Sequence, residues 1–179
     1  MASQTNKLMS LVDDRTRLAG FKKMDLLLFS LREEPIPQLE PVETAPNSTV
    51  FFADDSAVAR RKISQVIEKR GVPSQQAQNG REARDKLAQL ARSAEQEGAA
   101  LAERLGMVLV DAEMPEMDGY VLTRHIKSDK RFEGIPVVMH SSLSSMANRK
   151  MGQQVGVDVS VAKFDASVLA STISGMLKH

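Results

Sequence analysis

From residue 49 onward, short apolar runs alternate with longer segments in which apolar residues recur at helical spacing. The apolar runs predict five strands, the second of them weak and polar: 49–53, 72–78, 107–110, 135–139 and 159–162. The segments between and after them predict five helices: 56–70, about 81 to a break at Gly98, 119–129, 145–155, and one that follows an Asp165 cap. This alternation indicates an α/β fold, in which helices cover both faces of a doubly wound five-stranded parallel sheet.

The residues before this pattern differ from it in composition. Residues 34–48 include Pro35, Pro37, Pro41 and Pro46, which predicts a semi-stiff linker, because proline removes a backbone donor and favours extended chain. Residues 1–33 hold too little apolar surface to offset the entropy of ordering them, and we predict that they do not fold independently. Residues 49–179 are therefore predicted to form the one packed domain.

Composition excludes several classes of function. The chain has 24 Lys+Arg against 23 Asp+Glu and no long basic run, which argues against nucleic acid as the main partner. It has no cysteine and only 3 histidines, so thiolate and histidine metal sites are not expected. No apolar run approaches the roughly 20 residues of a membrane span. We expect a cytoplasmic protein without membrane insertion.

Polar residues stand where the stronger strands end. Asp54 and Asp55 follow the first strand, Asp111 the third, Ser141 the fourth and Lys163 the fifth. The carboxyl ends of strands in an open parallel sheet converge on one crevice. These three carboxylates, a hydroxyl and an ammonium are therefore predicted to meet at one edge of the sheet.

The charges of this predicted cluster indicate its chemistry. Three carboxylates held about 4–6 Å apart repel one another, and each pair costs a few kcal/mol at an effective dielectric constant near 20. A hard divalent cation relieves this repulsion, and Mg²⁺ suits oxygen ligands together with a phosphate. One carboxylate can then attack a phosphoryl group while the lysine and the hydroxyl hold its other oxygens.

The same residues resemble the receiver domain of response regulators, as in CheY. The segments DAEMPEMDGY, from Asp111, and AKFD, around Lys163, are more closely similar to receivers of the CheV family of chemotaxis coupling proteins. The opening RTRLAGFKKMDLLLFSL resembles the start of the CheW-like domain of that family. The resemblance implies a flavodoxin-like (CheY-like) fold with strand order 2-1-3-4-5 over about residues 49–179, and a CheW-like remnant in residues 1–33.

The resemblance also implies a role for each site residue. Asp111 would accept phosphate from a phosphohistidine, while Asp55, Asp111 and the backbone carbonyl of Glu113 would bind Mg²⁺ and Asp54 would act on it through a water. Ser141 and Lys163 would contact the phosphoryl group.

The implied partners are a CheA-like sensor histidine kinase and chemoreceptor array proteins. The protein is expected to be a monomer or weak dimer that signals through protein contacts in a two-component chemotaxis pathway. Apart from slow self-dephosphorylation, it is not expected to be an enzyme.

Two alternatives remain open on the sequence. Ser160 stands three residues before Lys163, where receivers often carry the aromatic residue that rotates on activation, so the chain could serve as a non-switching scaffold or phosphate sink. A haloacid-dehalogenase-type phosphatase also uses a strand-end aspartate and Mg²⁺. That family needs Asp-x-Asp at an early nucleophile, whereas this chain has Asp111-Ala112-Glu113 after its acid pair.

Overall fold

The structure is a computed structural model that describes residues 48–142, 146–163 and 165–177. The predicted CheW-like remnant at 1–33 and all but the last residue of the predicted linker at 34–48 lie outside these ranges. Among the described helices, none is both long enough and apolar enough to cross a lipid bilayer.

Strands and helices alternate along the described chain as the hydrophobic pattern predicts. The strands are β1 Thr49–Ala53, β2 Ser74–Ala77, β3 Leu105–Asp111, β4 Val137–Ser141 and β5 Val159–Ala162. The helices are α1 Ala57–Lys69, α2 Gly80–Gln96, α3 Gly119–Ser128, α4 Met146–Val155 and α5 Ala166–Met176. Two 3₁₀ turns, Leu101–Glu103 and Lys130–Phe132, were not predicted.

The five strands form one parallel sheet in the order β2-β1-β3-β4-β5. This confirms the predicted fold class and strand order. In the β3–β4 register Asp111 lies opposite His140, and in the β4–β5 register Ser141 lies opposite Ala162. The polar ends of β3, β4 and β5 therefore come together at one edge.

Each face of the sheet is covered by its own apolar cluster. Side chains of α2 and α3, including Leu87 and Leu122, pack with Phe51 of β1 on one face. Side chains of α1 and α5, including Ile67 and Ile173, pack on the other. Burying side chains of this size contributes about 1.5–3 kcal/mol each. This burial determines which face of each strand packs against α2 and α3 and which against α1 and α5.

Side-chain caps begin four of the helices. The side chains of Ser56, Asn79, Asp118 and Asp165 accept hydrogen bonds from backbone N–H groups of the first turns of α1, α2, α3 and α5. The predicted cap at Asp165 is thus confirmed. Gly98 has φ +68 after the end of α2, a conformation that favours glycine, so the predicted break there is also confirmed.

Three strand predictions were wrong in their bounds. The second strand was predicted at 72–78 but is the shorter Ser74–Ala77. The fourth strand was predicted at 135–139 but is Val137–Ser141, because Pro136 has no N–H to contribute to the ladder. The third was predicted at 107–110 but is Leu105–Asp111. The backbone of Asp111 therefore belongs to the sheet, which holds this residue more rigidly than a loop would.

The two ends of the described domain meet at the amino-terminal edge of the sheet. A Cβ placed on Gly106, near the start of β3, would lie 2.5 Å from Leu177 Cδ2 and 3.3 Å from Ser48 Cβ. Ser48 and Leu177 are both buried there. This edge is opposite the one at which the polar strand ends gather.

Glycine is required at the start of α3 by close packing. A Cβ on Gly119 would overlap the carbonyl oxygen of Asp111 and lie 3.0 Å from Ala112 Cα. Both are backbone atoms, which cannot move aside cheaply. The Asp118-Gly119 pair therefore lets the helix approach the end of β3.

We expect Gly119→Ala and Gly175→Ala to change stability in opposite directions. Gly119→Ala should destabilise the domain by about 1–3 kcal/mol or more, because the new methyl group overpacks against backbone. Gly175 lies in α5 with nothing within 4 Å of its Cβ position, so Gly175→Ala should stabilise it by about 0.5–1 kcal/mol. Urea unfolding of both variants measures the effect, and equal effects of the two would contradict the packing argument.

Candidate functional site

Three carboxylates meet at the carboxyl edge of the sheet. Asp54 and Asp55 follow β1, Asp111 ends β3, and one oxygen from each lies within 4.8 Å of the others. Asp54 is 0% and Asp111 1% exposed, whereas Asp55 is partly exposed. The structure therefore brings together the three acids singled out in the sequence, two of them out of contact with water.

Lys163, just after β5, provides the opposite charge. Its Nζ lies 2.7 Å from Asp111 Oδ2 and 3.0 Å from Asp54 Oδ2, and its side chain is 8% exposed. Its backbone N–H donates to the carbonyl of Ser141 at 2.9 Å. One buried ammonium thus bridges two buried carboxylates that come from different strands.

Backbone donors orient the second oxygen of each buried acid. Ser56 N–H donates to Asp54 Oδ1 at 2.8 Å, and Glu113 N–H donates to Asp111 Oδ1 at 3.1 Å. Arg60 in α1 donates from Nη1 to the carbonyl of Asp54 at 2.8 Å. The loops after β1 and β3 therefore hold the carboxylates so that their remaining oxygens turn towards Lys163.

The ionisation of Asp111 is shifted by this environment. Burial first, and then the charge of Asp54, raise the pKa of Asp111 from 3.8 to about 7, although Lys163 opposes both effects. For Lys163, burial lowers the pKa, but Asp54 and Asp111 together outweigh it and leave the pKa raised. The lysine is therefore a permanent cation, while Asp111 titrates close to neutrality.

The donor set fits a hard divalent cation. Asp54 Oδ2 and Asp111 Oδ2 are buried and receive no hydrogen bond of good geometry, so that only the Lys163 ammonium faces them among the described groups. Oxygen-only carboxylate ligands are those that Mg²⁺ prefers. At present the single Lys163 ammonium contacts both of these oxygens. A cation bound beside them would neutralise the remaining negative charge.

The remaining predicted residues lie beside the acids. Glu113 is partly buried in the loop after β3 and accepts a hydrogen bond from Ser142 Oγ at 3.5 Å. Ser141 is partly buried at the end of β4 and lines a cavity of about 70 Å³. Tyr120, in the first turn of α3, lines the same cavity. Sequence reasoning missed Tyr120, and its position directly after Asp118-Gly119 was the available signal.

His140 occupies a structural position rather than a reactive one. It is 4% exposed, and burial, followed by the charge of Lys163, lowers its pKa to about 3. It is therefore neutral at ordinary pH, as suits a buried histidine near the end of a core strand. A neutral imidazole adds no repulsion to the nearby ammonium.

Comparison with known proteins identifies relatives of this chain. A family model described as the response regulator receiver domain matches residues 50–174. Chemotaxis protein CheV3 of Helicobacter pylori is 32% identical over 128 residues, which cover 72% of this chain and 40% of that protein. The chain thus spans about two fifths of the length of this curated relative.

Solved structures show the same architecture. The receiver domain of the histidine kinase CKI1 from Arabidopsis thaliana, solved with Mg²⁺ and BeF₃⁻, has a TM-score of 0.65 at 25% identity, covering 74% of this chain and 91% of that one. Chemotaxis protein CheY4 of Vibrio cholerae has a TM-score of 0.59 at 23% identity, covering 73% and 98%. The second likeness supports the fold alone.

We expect Asp111→Asn to stabilise the metal-free protein at about pH 8 and to lose this advantage near pH 4. Because the pKa of Asp111 is raised to about 7 in the folded state, ionisation of this residue costs stability as the pH rises from about 4 to about 7. Each pKa unit corresponds to about 1.4 kcal/mol, which predicts a gain of a few kcal/mol at the higher pH. Urea unfolding at both pH values measures it.

Comparing Asp111→Asn with the wild type separates the effect of Asp111 on stability from the effects of other titrating groups. The lowered pKa of His140 makes folding less favourable below its ordinary value of 6.5, but it does so in both proteins and cancels in the difference. Asp85→Asn, at an exposed position of α2, serves as the matched control. A stability difference that does not change with pH would contradict the assignment.

Proposed function

Because this chain belongs to the response regulator receiver family, we propose that Asp111 accepts a phosphoryl group from the phosphohistidine of a sensor kinase and passes the signal on through protein contacts. The observation that carries the proposal is the buried Asp111 carboxylate at the end of β3, bracketed by Asp54, Asp55 and the Lys163 ammonium at 2.7 Å. The family and the chemotaxis relatives make the chain a receiver domain of the two-component chemotaxis type.

Phosphoryl transfer follows from the arrangement of these groups. An Asp111 oxygen attacks the phosphorus, the N–P bond of the phosphohistidine breaks, and the imidazole leaves with its electron pair and takes up a proton. Lys163 is placed to exchange its contact with Asp111 for one with a phosphoryl oxygen, and the Ser141 hydroxyl to donate to another. The product is an acyl phosphate on Asp111.

A bound Mg²⁺ would be held by Asp55, Asp111 and the carbonyl of Glu113, with Asp54 acting through a water, and would neutralise charge on the phosphoryl oxygens. We give Asp54 the outer role because it is the more buried of the two acids that follow β1. Asp55 is the more accessible of the pair. The CKI1 receiver solved with Mg²⁺ and BeF₃⁻ supports this proposal by its similarity.

The partners belong to the same proposal. The CheV relative is a chemotaxis protein, which supports a CheA-like kinase as phosphoryl donor, chemoreceptor array proteins as further partners and a cytoplasmic setting. Self-dephosphorylation would be slow, and the chain would act as an acceptor rather than as an enzyme. Neither the phosphate-sink nor the haloacid-dehalogenase alternative finds support in the comparisons.

We expect incubation with acetyl phosphate and Mg²⁺ to add one phosphate per chain, and Asp111→Asn to add none. Asp111 is the buried acid that ends β3 between the other charged groups of the site. Intact-mass spectrometry measures the adduct. Asp85→Asn serves as the control and should retain full labelling. Labelling of the Asp111→Asn variant at the wild-type level would contradict the proposal.

We expect Asp55→Asn to abolish measurable Mg²⁺ binding and Asp54→Asn to weaken it by only about tenfold, the lower end of what outer partners of a metal are worth. The reason is that Asp55 would be a direct ligand of the metal, whereas Asp54 would contact it through a water. Isothermal titration calorimetry at fixed pH measures both. If Asp54→Asn is the more damaging change, the two roles are exchanged.

A further inference from the structure

The outer edge of β2 is one of the two margins of the described sheet. The strand order β2-β1-β3-β4-β5 places β2 there, and two of its glutamines, Gln75 and Gln76, are exposed. An outer strand presents N–H and C=O groups that another chain can bind, and folded proteins cover or charge such edges for this reason. What covers the edge of β2 therefore decides whether the sheet can be extended on this side.

Alternate residues of this segment direct their backbone groups away from β1. The carbonyls of Pro73 and Ala77 accept N–H groups from β1 and from the residue after it, at 2.9 and 3.2 Å. In a strand, the N–H and C=O of one residue point to the same side, and those of the next residue point to the opposite side. Gln76 and Gln78 therefore direct their backbone groups to the outer edge.

Two side chains of α2 bind these outward groups. Lys86 donates from Nζ to the carbonyl of Gln76 at 2.7 Å. Glu82 Oε2 accepts the N–H of Gln78 at 2.9 Å, and Glu82 Oε1 lies 2.7 Å from Lys86 Nζ. One ion pair thus occupies a carbonyl and an N–H that a further strand would need for its own hydrogen bonds.

The contact of Lys86 with the strand is not explained by the stability of α2. Exposed ion pairs spaced four residues apart on a helix contribute little to stability. The helix already begins with a side-chain cap, in which Asn79 accepts the N–H of Glu82. The hydrogen bond from Lys86, and then that from Gln78 N–H, lowers the pKa of Glu82, so its carboxylate is ionised at neutral pH. The pair is therefore charged and lies where it blocks the edge.

The segment beneath this pair is suited to a second copy of the same chain. Residues 71–80 include no charged side chain, so two copies do not repel each other there. Glutamine side chains form hydrogen-bonded ladders when like strands pair. Two β2 strands that pair antiparallel about a two-fold axis present the same groups to each other, as a closed dimer requires. The occupant that matches this edge is thus another β2.

We propose that the outer edge of β2 is a latent self-association surface, and that the Lys86–Glu82 pair closes it by binding the backbone groups that a second β2 strand would bind. With the pair in place, the edge is unavailable to other copies. Release of the Gln76 carbonyl opens it, and two chains then join their sheets edge to edge. This inference does not depend on phosphorylation of the acidic site.

Lys86→Ala tests the closure, because it uncovers the Gln76 carbonyl and leaves the Asn79 cap of α2 in place. Sedimentation velocity of the full chain over a range of concentrations measures self-association. The dimer dissociation constant should fall by about tenfold or more, since two-fold symmetry counts each released hydrogen bond twice.

Two control variants separate closure of the edge from loss of charge. Arg92→Ala, at an exposed position of α2, removes the same charge as Lys86→Ala and should associate as the wild type does. Lys86→Arg keeps a charged donor and should also match the wild type.

A proline locates the new contact. Gln76→Pro removes an outward N–H but no bond of the β1–β2 ladder, so an outer strand tolerates it. In the Lys86→Ala background it should restore the wild-type dissociation constant, and urea unfolding checks that the domain still folds. Hydrogen exchange measured by mass spectrometry is independent of this variant. In Lys86→Ala, protection of residues 74–78 should increase with protein concentration.

Each contrary outcome overturns the inference. If Lys86→Ala associates no more tightly than the wild type, the edge is not a latent surface. If tighter association persists in the folded double variant, or arises without protection of residues 74–78, the contact lies elsewhere on the chain. Protection of these residues that does not change with concentration would mean that a segment of the same chain fills the edge, and a second copy would be the wrong occupant.

Discussion

The structure depends most on one buried ammonium placed between two buried carboxylates. Lys163 lies within 3.0 Å of both Asp54 and Asp111, which come from different strands and carry almost no exposed surface. Burial of like charges is unfavourable, and it persists only where the fold supplies the compensating charge and hydrogen bonds. The strand order, which brings β1, β3 and the end of β5 to one edge, is what makes this compensation possible.

Because the compensation is incomplete, the site is poised for chemistry. One cation neutralises one carboxylate, yet the cluster contains three. Burial first, and then the charge of Asp54, raise the pKa of Asp111 to about 7. The surplus negative charge is a driving force for binding a metal cation. The same surplus explains why the fold would be more stable with a neutral side chain at this position, a cost that is common where function rather than stability selects the residue.

Much of the fold and of the acid cluster could be predicted from local pattern. Apolar runs that end in Asp111 or in Asp54-Asp55 predict parallel strands whose acids converge. Asp165 predicts the start of a helix because an aspartate side chain can cap its first turn. What could not be predicted depends on contacts between distant residues. The extension of β4 to Ser141 depends on its pairing with Ala162 of β5, and the bridging position of Lys163 depends on the register of three strands. The depression that Tyr120 and Ser160 both line is formed by four elements together, so no single stretch of sequence reveals it.

The meeting of Ser48 and Leu177 at Gly106 has a topological consequence. Since both points lie at the edge opposite the acids, a short peptide could join them without crossing the site or changing the strand order. New termini could then be opened in a surface loop such as the one at Gly134, where φ is +81 and no atom lies within 4 Å of the Cβ position. The domain is therefore a candidate for circular permutation, in which the order of strands along the chain changes while the carboxylate cluster stays intact.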